Sequence, residues 1–145
     1  MSPVRPDQER RTQDERESHS TALVTGATGL VGSHIVERLL ADGWSVRVMT
    51  RDPDMARSSL PPGERIEFLR GDVLDQASFI RAAAGTNVVF HAAANIIVRG
   101  GWESYRQTNI DGASNAVLAA EQSGARLLQV SSVAVYGSRT RYDAA

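Results

Sequence analysis

Three glycines at a regular spacing carry the clearest chemical signal in this chain. Gly26, Gly29 and Gly32 lie between a short apolar run and an amphipathic run, in the order strand, turn, helix. Such glycines permit a tight turn, close approach of the backbone to a pyrophosphate, and tight packing of the helix, in that order. The helix start adds free N–H groups and a positive dipole end. The pattern therefore predicts a dinucleotide site, and the alternative is a glycine-rich turn without a ligand.

The residues after the second apolar run choose between the two nicotinamide dinucleotides. An acid there binds the ribose 2′-hydroxyl of NAD, whereas an arginine accommodates the 2′-phosphate of NADP. Thr50 occupies the position where the acid is expected, and Arg51 follows it. The sequence therefore favours NADP as the cofactor, while Asp52 leaves NAD possible.

Alternating strands and helices must position these residues. Apolar runs predict strands over Thr21–Thr25, Ser45–Thr50, Ile66–Leu69, Asn87–His91 and Leu127–Ser131. Periodicity and capping signals predict helices over Leu30–Ala41, Met55–Leu60, Asp75–Ala84 (with Asp75 as the N-cap) and Glu103–Gln122, the last ended by Gly124. In the first helix, Val31, Ile35 and Leu39 are spaced to share one face.

This alternation predicts an α/β fold. Fully apolar strands indicate a parallel sheet covered on both faces, and right-handed crossovers make it a doubly wound, Rossmann-type sheet ordered 3-2-1-4-5. Residues 1–20 are almost all polar or charged, with both signs nearly balanced. We expect them to form a disordered tail, and they lack the apolar centre of a secretory signal.

Composition narrows the class of protein. A chain of 145 residues is one domain by length, and its net charge of −1 gives no electrostatic case for a nucleic-acid or membrane partner. There is no cysteine, which excludes disulfides and thiolate metal sites and is compatible with a reducing cytoplasm. No apolar run is long enough to span a bilayer. All sixteen basic residues are arginine, so the chain contains no lysine.

Six short segments match, in chain order, the motif series of one enzyme family. They are TGATGLVG (25–32), RDP (51–53), GDVLD (71–75), HAAA (91–94), TNIDG (108–112) and SSVAVYG (131–137). From Thr21 to Gly137 the chain therefore resembles the extended short-chain dehydrogenase/reductases, also called the NAD-dependent epimerase/dehydratase family. RDP is similar to the segment found in its NADP-dependent, dihydroflavonol-reductase-like members.

The resemblance implies a cofactor site and one catalytic residue. In the family, the residues matching Asp72 and Val73 meet the adenine ring, and the small residues after the fourth strand border the nicotinamide ribose. The implied cofactor-binding residues are Gly26, Thr28, Gly29, Leu30, Val31, Gly32, Arg51, Asp72, Val73, Ala92, Ala93 and Ala94. Ser132 matches the catalytic serine, whose hydroxyl bonds the oxygen at the reacting carbon. The alternatives are a turn acid at Asp72 and a serine that satisfies local backbone groups at Ser132.

The family also needs a Tyr-x-x-x-Lys pair for proton transfer, which this lysine-free chain lacks. In the family that pair lies beyond the VYG segment, so Tyr136 is not its tyrosine. We therefore expect residues 21–145 to be a cofactor-binding portion with an incomplete sheet, inactive alone. The family's substrates are small molecules such as nucleotide sugars, 3β-hydroxysteroids and dihydroflavonol-like ketones, and its members often form homodimers. The alternative is a non-catalytic protein that senses NAD(P).

Three other polar residues receive structural interpretations. His91 ends a buried strand, which favours a structural hydrogen bond over a catalytic base, and His34 is expected on a helix surface or in helix packing. Asn109 has two open interpretations, which are support of the fourth strand and the active site, or a bond inside its own helix.

Overall fold

The computed structural model describes residues 20–96 and 101–133, which form alternating strands and helices. The strands are β1 Thr21–Thr25, β2 Ser45–Thr50, β3 Ile66–Arg70, β4 Val88–His91 and β5 Arg126–Gln129. The helices are α1 Leu30–Ala41, α2 Pro53–Ser59, α3 Gln76–Ala83, α4 Gly101–Arg106 and α5 Gly112–Ser123, with a π-helical turn, Gln107–Asp111, between α4 and α5. Apart from Ser20, the predicted tail lies outside the described residues, as do residues 134–137 of the SSVAVYG segment.

The sheet has the predicted topology. Its strands are ordered β3-β2-β1-β4-β5, and every neighbouring pair is parallel. All five strands therefore end at the same edge, and the strand order reverses between β1 and β4. In such sheets ligands bind outside the carboxyl ends at this switch point. Within the described residues β5 pairs with β4 alone.

Two apolar layers cover the sheet, one on each face. Alternate strand residues point to opposite faces because the side-chain period of a strand is two. One layer joins Ala22, Val24, Val46 and Val48 to Val36 and Leu39 of α1 and Ala56 of α2. The other joins Leu23, Met49 and Val89 to Phe79 of α3 and Ala116 and Ala119 of α5. Both layers hold the strand ends in fixed positions relative to the helices.

The buried face of α1 differs from the predicted one. Val31 is 50% exposed, and the buried residues are Gly32, Val36 and Leu39. The face is displaced because the helix approaches the sheet most closely at Gly32. A Cβ there would overlap the carbonyl oxygen of Gly26 and lie 2.8 Å from the Cα of Ala27. A glycine therefore occupies the buried face where the periodicity suggested an aliphatic residue.

The last predicted helix is one helical run with an interruption. Helical backbone extends from Gly101 to Ser123, and Gly124 ends it with φ +69° as a left-handed C-cap. The π-helical turn in its middle adds one residue to a turn, which apolar periodicity does not reveal. Across residues 20–96 and 101–133, no helix combines the length and apolar character needed to cross a membrane.

Candidate cofactor-binding site

A cleft of about 590 Å³ opens at the carboxyl edge of the sheet. It lies over the ends of β1 to β4, and α4 and the π-helical turn form one wall. Its lining residues are Gly26, Ala27, Thr28, Gly29, Met49, Thr50, Arg51, Asp52, Met55, Gly71, Asp72, Val73, Leu74, Ala92, Ala93, Ala94, Asn95, Ser104 and Thr108. Nine of the twelve predicted cofactor-binding residues are among them. The other three, Leu30, Val31 and Gly32, form the first turn of α1.

The glycine turn after β1 forms the floor of this cleft. Gly26 has φ +68°, a left-handed conformation that favours glycine. A Cβ at this position would lie 2.5 Å from the Ala93 nitrogen, so the turn touches the backbone that follows β4. The Gly29 N–H donates to the Gly26 carbonyl at 3.0 Å, which closes the turn. The tight turn and close helix packing predicted at Gly26 and Gly32 are thus present.

The N-terminus of α1 has no side-chain cap. Gly29 is the N-cap residue with extended backbone, and the first turn contains no acidic residue. The Ser33 N–H donates to the Gly29 carbonyl, whereas the N–H groups of Leu30, Val31 and Gly32 have no acceptor among the described residues. Three aligned donors at the positive end of a helix form a site for an anion.

At the carboxyl end of β2, Arg51 has no ion-pair partner among the described residues, whereas the neighbouring Asp52 carboxylate already accepts a hydrogen bond. The Asp52 carboxylate accepts the Met55 N–H at 3.1 Å and so caps α2, while the Thr50 hydroxyl bonds the Asp52 backbone. Arg51 is exposed and lines the cleft. Among the described residues no carboxylate pairs with its guanidinium.

The turn after β3 presents one free donor. The Asp72 N–H donates to the Ser78 hydroxyl, and the Asp72 carboxylate accepts the Leu74 N–H at 2.9 Å. Asp72 is thus a turn acid and also a lining residue. The Val73 N–H between them has no acceptor within the described ranges. This wall of the cleft therefore presents the Val73 N–H as a donor next to the Asp72 carboxylate as an acceptor.

Helix α5 holds this turn from its outer side. Asn115 donates its side-chain amide to the Val73 carbonyl at 2.9 Å. Gly112 is buried against the same residue, and a Cβ on Gly112 would lie 3.1 Å from Cγ2 of Val73. Two contacts from one helix therefore fix the position of Val73. Gly112 is the glycine of the TNIDG segment and its small size signals a close approach, whereas Asn115 belongs to none of the six segments.

Asn109 supports the segment that follows β4. It lies in the π-helical turn, where its Oδ1 accepts the Asn95 N–H at 2.8 Å and its Nδ2 donates to the Asn95 carbonyl at 2.9 Å. The Asn95 side chain in turn donates to the Ser104 hydroxyl at 3.2 Å. Of the two interpretations of Asn109, support for the β4 end is confirmed. Ser104, which no motif contains, and Thr108, the first residue of the TNIDG segment, reach the cleft from the same stretch of helix.

The two described histidines have structural surroundings. His91 is buried, shares a 2.7 Å hydrogen bond between Nδ1 and the Thr25 hydroxyl, and packs against Phe79 with ring centroids 5.7 Å apart. Burial lowers the pKa of His91 to about 4, so its ring is neutral near pH 7. His34 lies on the exposed side of α1, 3.1 Å from the carboxylate of Glu37. The structural interpretation of both residues is confirmed.

Ser132 lies at the same edge of the sheet but outside the lining of the cleft. It follows β5 by three residues and is exposed. Its catalytic role remains a prediction, and Tyr136 lies outside the described residues. In residues 20–96 and 101–133 no group of three His, Asp or Glu side chains is arranged to hold a metal ion.

The strand order and the glycine turn at its switch point define a Rossmann-type domain. A sequence profile of the NAD dependent epimerase/dehydratase family matches residues 22–144, and the chain belongs to this family.

Two curated relatives and one solved structure illustrate the likeness. The chain is 36% identical over 121 residues to a ceramide reductase of Caulobacter vibrioides, a match that covers 81% of this chain and 36% of that protein. It is 38% identical over 109 residues to a 3-beta-hydroxysteroid dehydrogenase of Mycolicibacterium neoaurum, covering 70% and 29%. The crystal structure of the Bordetella bronchiseptica enzyme WbmG in complex with NAD superposes with a TM-score of 0.74 at 31% identity, covering 84% of this chain and 40% of that one. The chain thus spans about a third of the length of these curated relatives.

Proposed function

We propose that this chain binds a nicotinamide dinucleotide in the cleft and is the cofactor-binding portion of an NAD(P)-dependent oxidoreductase or epimerase/dehydratase. The observation that carries the proposal is the uncapped N-terminus of α1. Its three free N–H groups adjoin the glycine turn at the switch point of the sheet. Membership of the family and the NAD held by the similar Bordetella structure support it.

The chain's own residues account for each part of such a cofactor. The diphosphate would meet the free N–H groups in the first turn of α1, where a helix dipole favours negative charge. The free Val73 N–H and the Asp72 carboxylate form a donor and acceptor pair complementary to N1 and N6 of adenine. The small residues of the segment Ala92–Ala94 would leave room for the nicotinamide ribose.

The end of β2 favours NADP over NAD. Recognition of NAD at this position uses a carboxylate that accepts from the ribose 2′-hydroxyl. The carboxylate of Asp52 already caps α2. Arg51 has no carboxylate partner among the described residues, so its guanidinium can pair with a 2′-phosphate. We therefore propose NADP as the preferred cofactor.

The bound cofactor supplies hydride transfer to or from a carbon that bears oxygen. We propose that Ser132 donates a hydrogen bond to that oxygen and that the substrate is a small hydroxyl or ketone compound. Nucleotide sugars, 3β-hydroxysteroids and dihydroflavonol-like ketones are the proposed substrate classes. The names of the two relatives, a reductase and a hydroxysteroid dehydrogenase, agree with reduction of a ketone or oxidation of a hydroxyl group. Positioned acid–base groups contribute about 10²–10⁴ in rate. Because these 145 residues hold no lysine for a Tyr-Lys pair, we propose binding without turnover by this chain alone.

A second candidate is a non-catalytic protein that senses NAD(P). Sensing would need only the glycine turn and the free N–H groups of α1, which these residues contain, and no proton relay. The two candidates differ in the part played by Ser132. Ser132→Ala in a protein that also carries the Tyr-Lys segment would abolish turnover under the first candidate, and would leave the ligand response unchanged under the second.

Calorimetric titration of the purified chain with NADP⁺ and NAD⁺ tests the proposed function. We expect Gly29→Asp to weaken both dinucleotides by more than about tenfold, because its carboxylate would cap α1 and repel the diphosphate. Gly63→Asp is the matched control, since a Cβ at Gly63 meets nothing within 4 Å. Absence of binding by the unaltered chain, or equal loss in both variants, would refute the proposal. Equal affinities for the two dinucleotides would refute the preference for NADP.

We also propose self-association through the outer side of α5. Val117 and Leu118 on this helix are 43% and 37% exposed, and they would supply the apolar contact of a dimer interface. Light scattering during gel filtration tests this proposal. A dimer that Leu118→Glu converts to a monomer would support it, and a monomeric unaltered chain would contradict it.

A further inference from the structure

A second arginine, Arg70, contacts the backbone of Arg51; it is not itself a lining residue of the cleft, but the next residue, Gly71, is. Arg70 is the last residue of β3 and pairs in register with Thr50 at the end of β2. Its Nη1 donates to the carbonyl oxygen of Arg51 at 2.9 Å. This bond brings the second guanidinium to the backbone of the first arginine, on the side of the cleft where β2 and β3 end. Its other N–H groups have no acceptor in the described part of the chain.

No direct ion pair holds either of these two guanidinium groups in the described part of the chain. By contrast, Arg38, Arg47, Arg57 and Arg106 do form ion pairs. The neighbouring acids are already engaged. Asp52 caps α2, and Asp54 pairs with Arg57 at 3.0 Å. An anion bound beside the end of β2 would be attracted by both positive charges.

We propose that Arg70 acts with Arg51 as a second cation for the 2′-phosphate of NADP and so determines cofactor preference. The inference rests on the proposed function, because it concerns the same cleft. Arg70 would act in two ways, by holding the Arg51 backbone through its Nη1 and by adding a guanidinium that donates to phosphate oxygens. A planar guanidinium suits both tasks, since its N–H groups point in fixed, divergent directions.

The test compares the affinities of NADP⁺ and NAD⁺ for Arg70→Gln by calorimetry. These ligands differ only in the 2′-phosphate, so their ratio reports that group alone. We expect NADP⁺ to bind about tenfold more weakly to the variant and NAD⁺ to bind unchanged. Arg70→Lys keeps the charge and should lose less of the NADP⁺ affinity than Arg70→Gln does.

Arg65→Gln is the matched control. Arg65 is also exposed, has no ion pair in the described residues, and donates to a carbonyl, that of Leu40 at 3.3 Å. It precedes β3 and therefore lies at the opposite edge of the sheet, so its loss should change neither affinity.

The outcomes separate this inference from the proposed function. Equal weakening of NADP⁺ and NAD⁺ by Arg70→Gln would indicate a merely structural residue and overturn the inference. Unchanged NADP⁺ affinity in that variant would also overturn it, while dinucleotide binding itself would still stand. An unaltered chain that binds neither ligand would remove both proposals together.

Discussion

The first and third helices begin in opposite ways, although both follow a parallel strand and start at the same edge of the sheet. At α3, the Asp75 carboxylate accepts the N–H groups of Ala77 and Ser78 at 3.1 and 3.3 Å. At α1, Gly29 occupies the N-cap position and offers no side-chain acceptor. One helix start is closed by the chain itself, and the other is left open.

A helix start with glycine at the N-cap position is only slightly less stable than one with a side-chain cap. Glycine at an N-cap costs only a few tenths of a kcal/mol relative to the best capping residues. The free N–H groups of α1 are therefore maintained at small cost, and they adjoin the cleft. The closed start at α3 serves a structural purpose, since Phe79 of that helix is fully buried. Three variants and one change of pH test the difference between the two helix starts.

Gly32→Ala should have the largest effect because it breaks the open helix start. The new Cβ would overlap the Gly26 carbonyl oxygen, so α1 must move away from the turn. We expect a loss of about 3 kcal/mol in the free energy of unfolding, measured by urea denaturation. Gly63→Ala, at an unobstructed glycine, should change it by less than about 0.5 kcal/mol. Similar denaturation midpoints for the two variants would show that the close approach at Gly32 is not required.

Acidification should lower the free energy of unfolding, because His91 is buried against Phe79 of α3, the helix with the capped start. The folded-state pKa of His91 is lowered to about 4 from an ordinary value of 6.5, so the unfolded chain takes up its proton first. The stability contributed by the neutral ring is complete above pH 6.5 and is lost as the pH falls toward 4, by about 3 kcal/mol at most. Urea denaturation between pH 7 and pH 4 measures it.

Two variants isolate the part of this pH dependence that belongs to His91. His91→Asn should flatten the curve between pH 6.5 and 4, whereas His34→Asn, at an exposed position, should leave it unchanged. A curve unaltered in His91→Asn would mean that the acid sensitivity arises elsewhere in the chain.

Asp75→Ala sharpens the contrast by opening the closed helix start. Loss of the cap leaves two N–H groups of α3 without their acceptor and should cost about 1 kcal/mol of stability. Affinity for NADP⁺ should stay the same, since Asp75 does not line the cleft. If Asp75→Ala is folded under the assay conditions and still binds NADP⁺ clearly more weakly, the start of α3 belongs to the binding site.

Asn115→Ala should have the smallest effect. It removes the bond to the Val73 carbonyl and should lower stability by about 0.5 kcal/mol and NADP⁺ affinity about threefold, because the Val73 N–H is then less well placed. Ser114→Ala, on the same helix and with only a local bond to Ile110, is the control. Equal affinities in the two variants would show that α5 does not position this turn.

Much of the fold was predictable because the strands are apolar and the helix ends carry recognisable caps. The sheet order, the cap at Asp75 and the C-cap at Gly124 all agree with the structure. Of the face predicted for α1, Ile35 and Leu39 do pack against the core, whereas Val31 is exposed. Hydrophobic periodicity gives no weight to Gly32, which makes the closest contact.

The motifs predicted the cleft residues better than the residues that hold them in place. Gly26, Gly29 and the segment after β4 line the cleft together. The π-helical turn was not predicted, because one inserted residue leaves the apolar pattern readable as a single helix. The side chains of Asn115 and Arg70 donate hydrogen bonds to carbonyl groups of residues distant in sequence, and no local sequence pattern predicts such partners.

Gly26 contacts the segment after β4, and a side chain added at Gly26 affects this contact differently from a larger side chain at Ala92 or Ala93. The atoms that a Cβ at Gly26 would meet all belong to the main chain of Ala92 and Ala93. Larger side chains at 92 or 93 would leave that spacing intact and would change only the room in the cleft that both residues line. Any side chain at 26 must displace the peptide backbone itself, so no second substitution nearby restores the lost space.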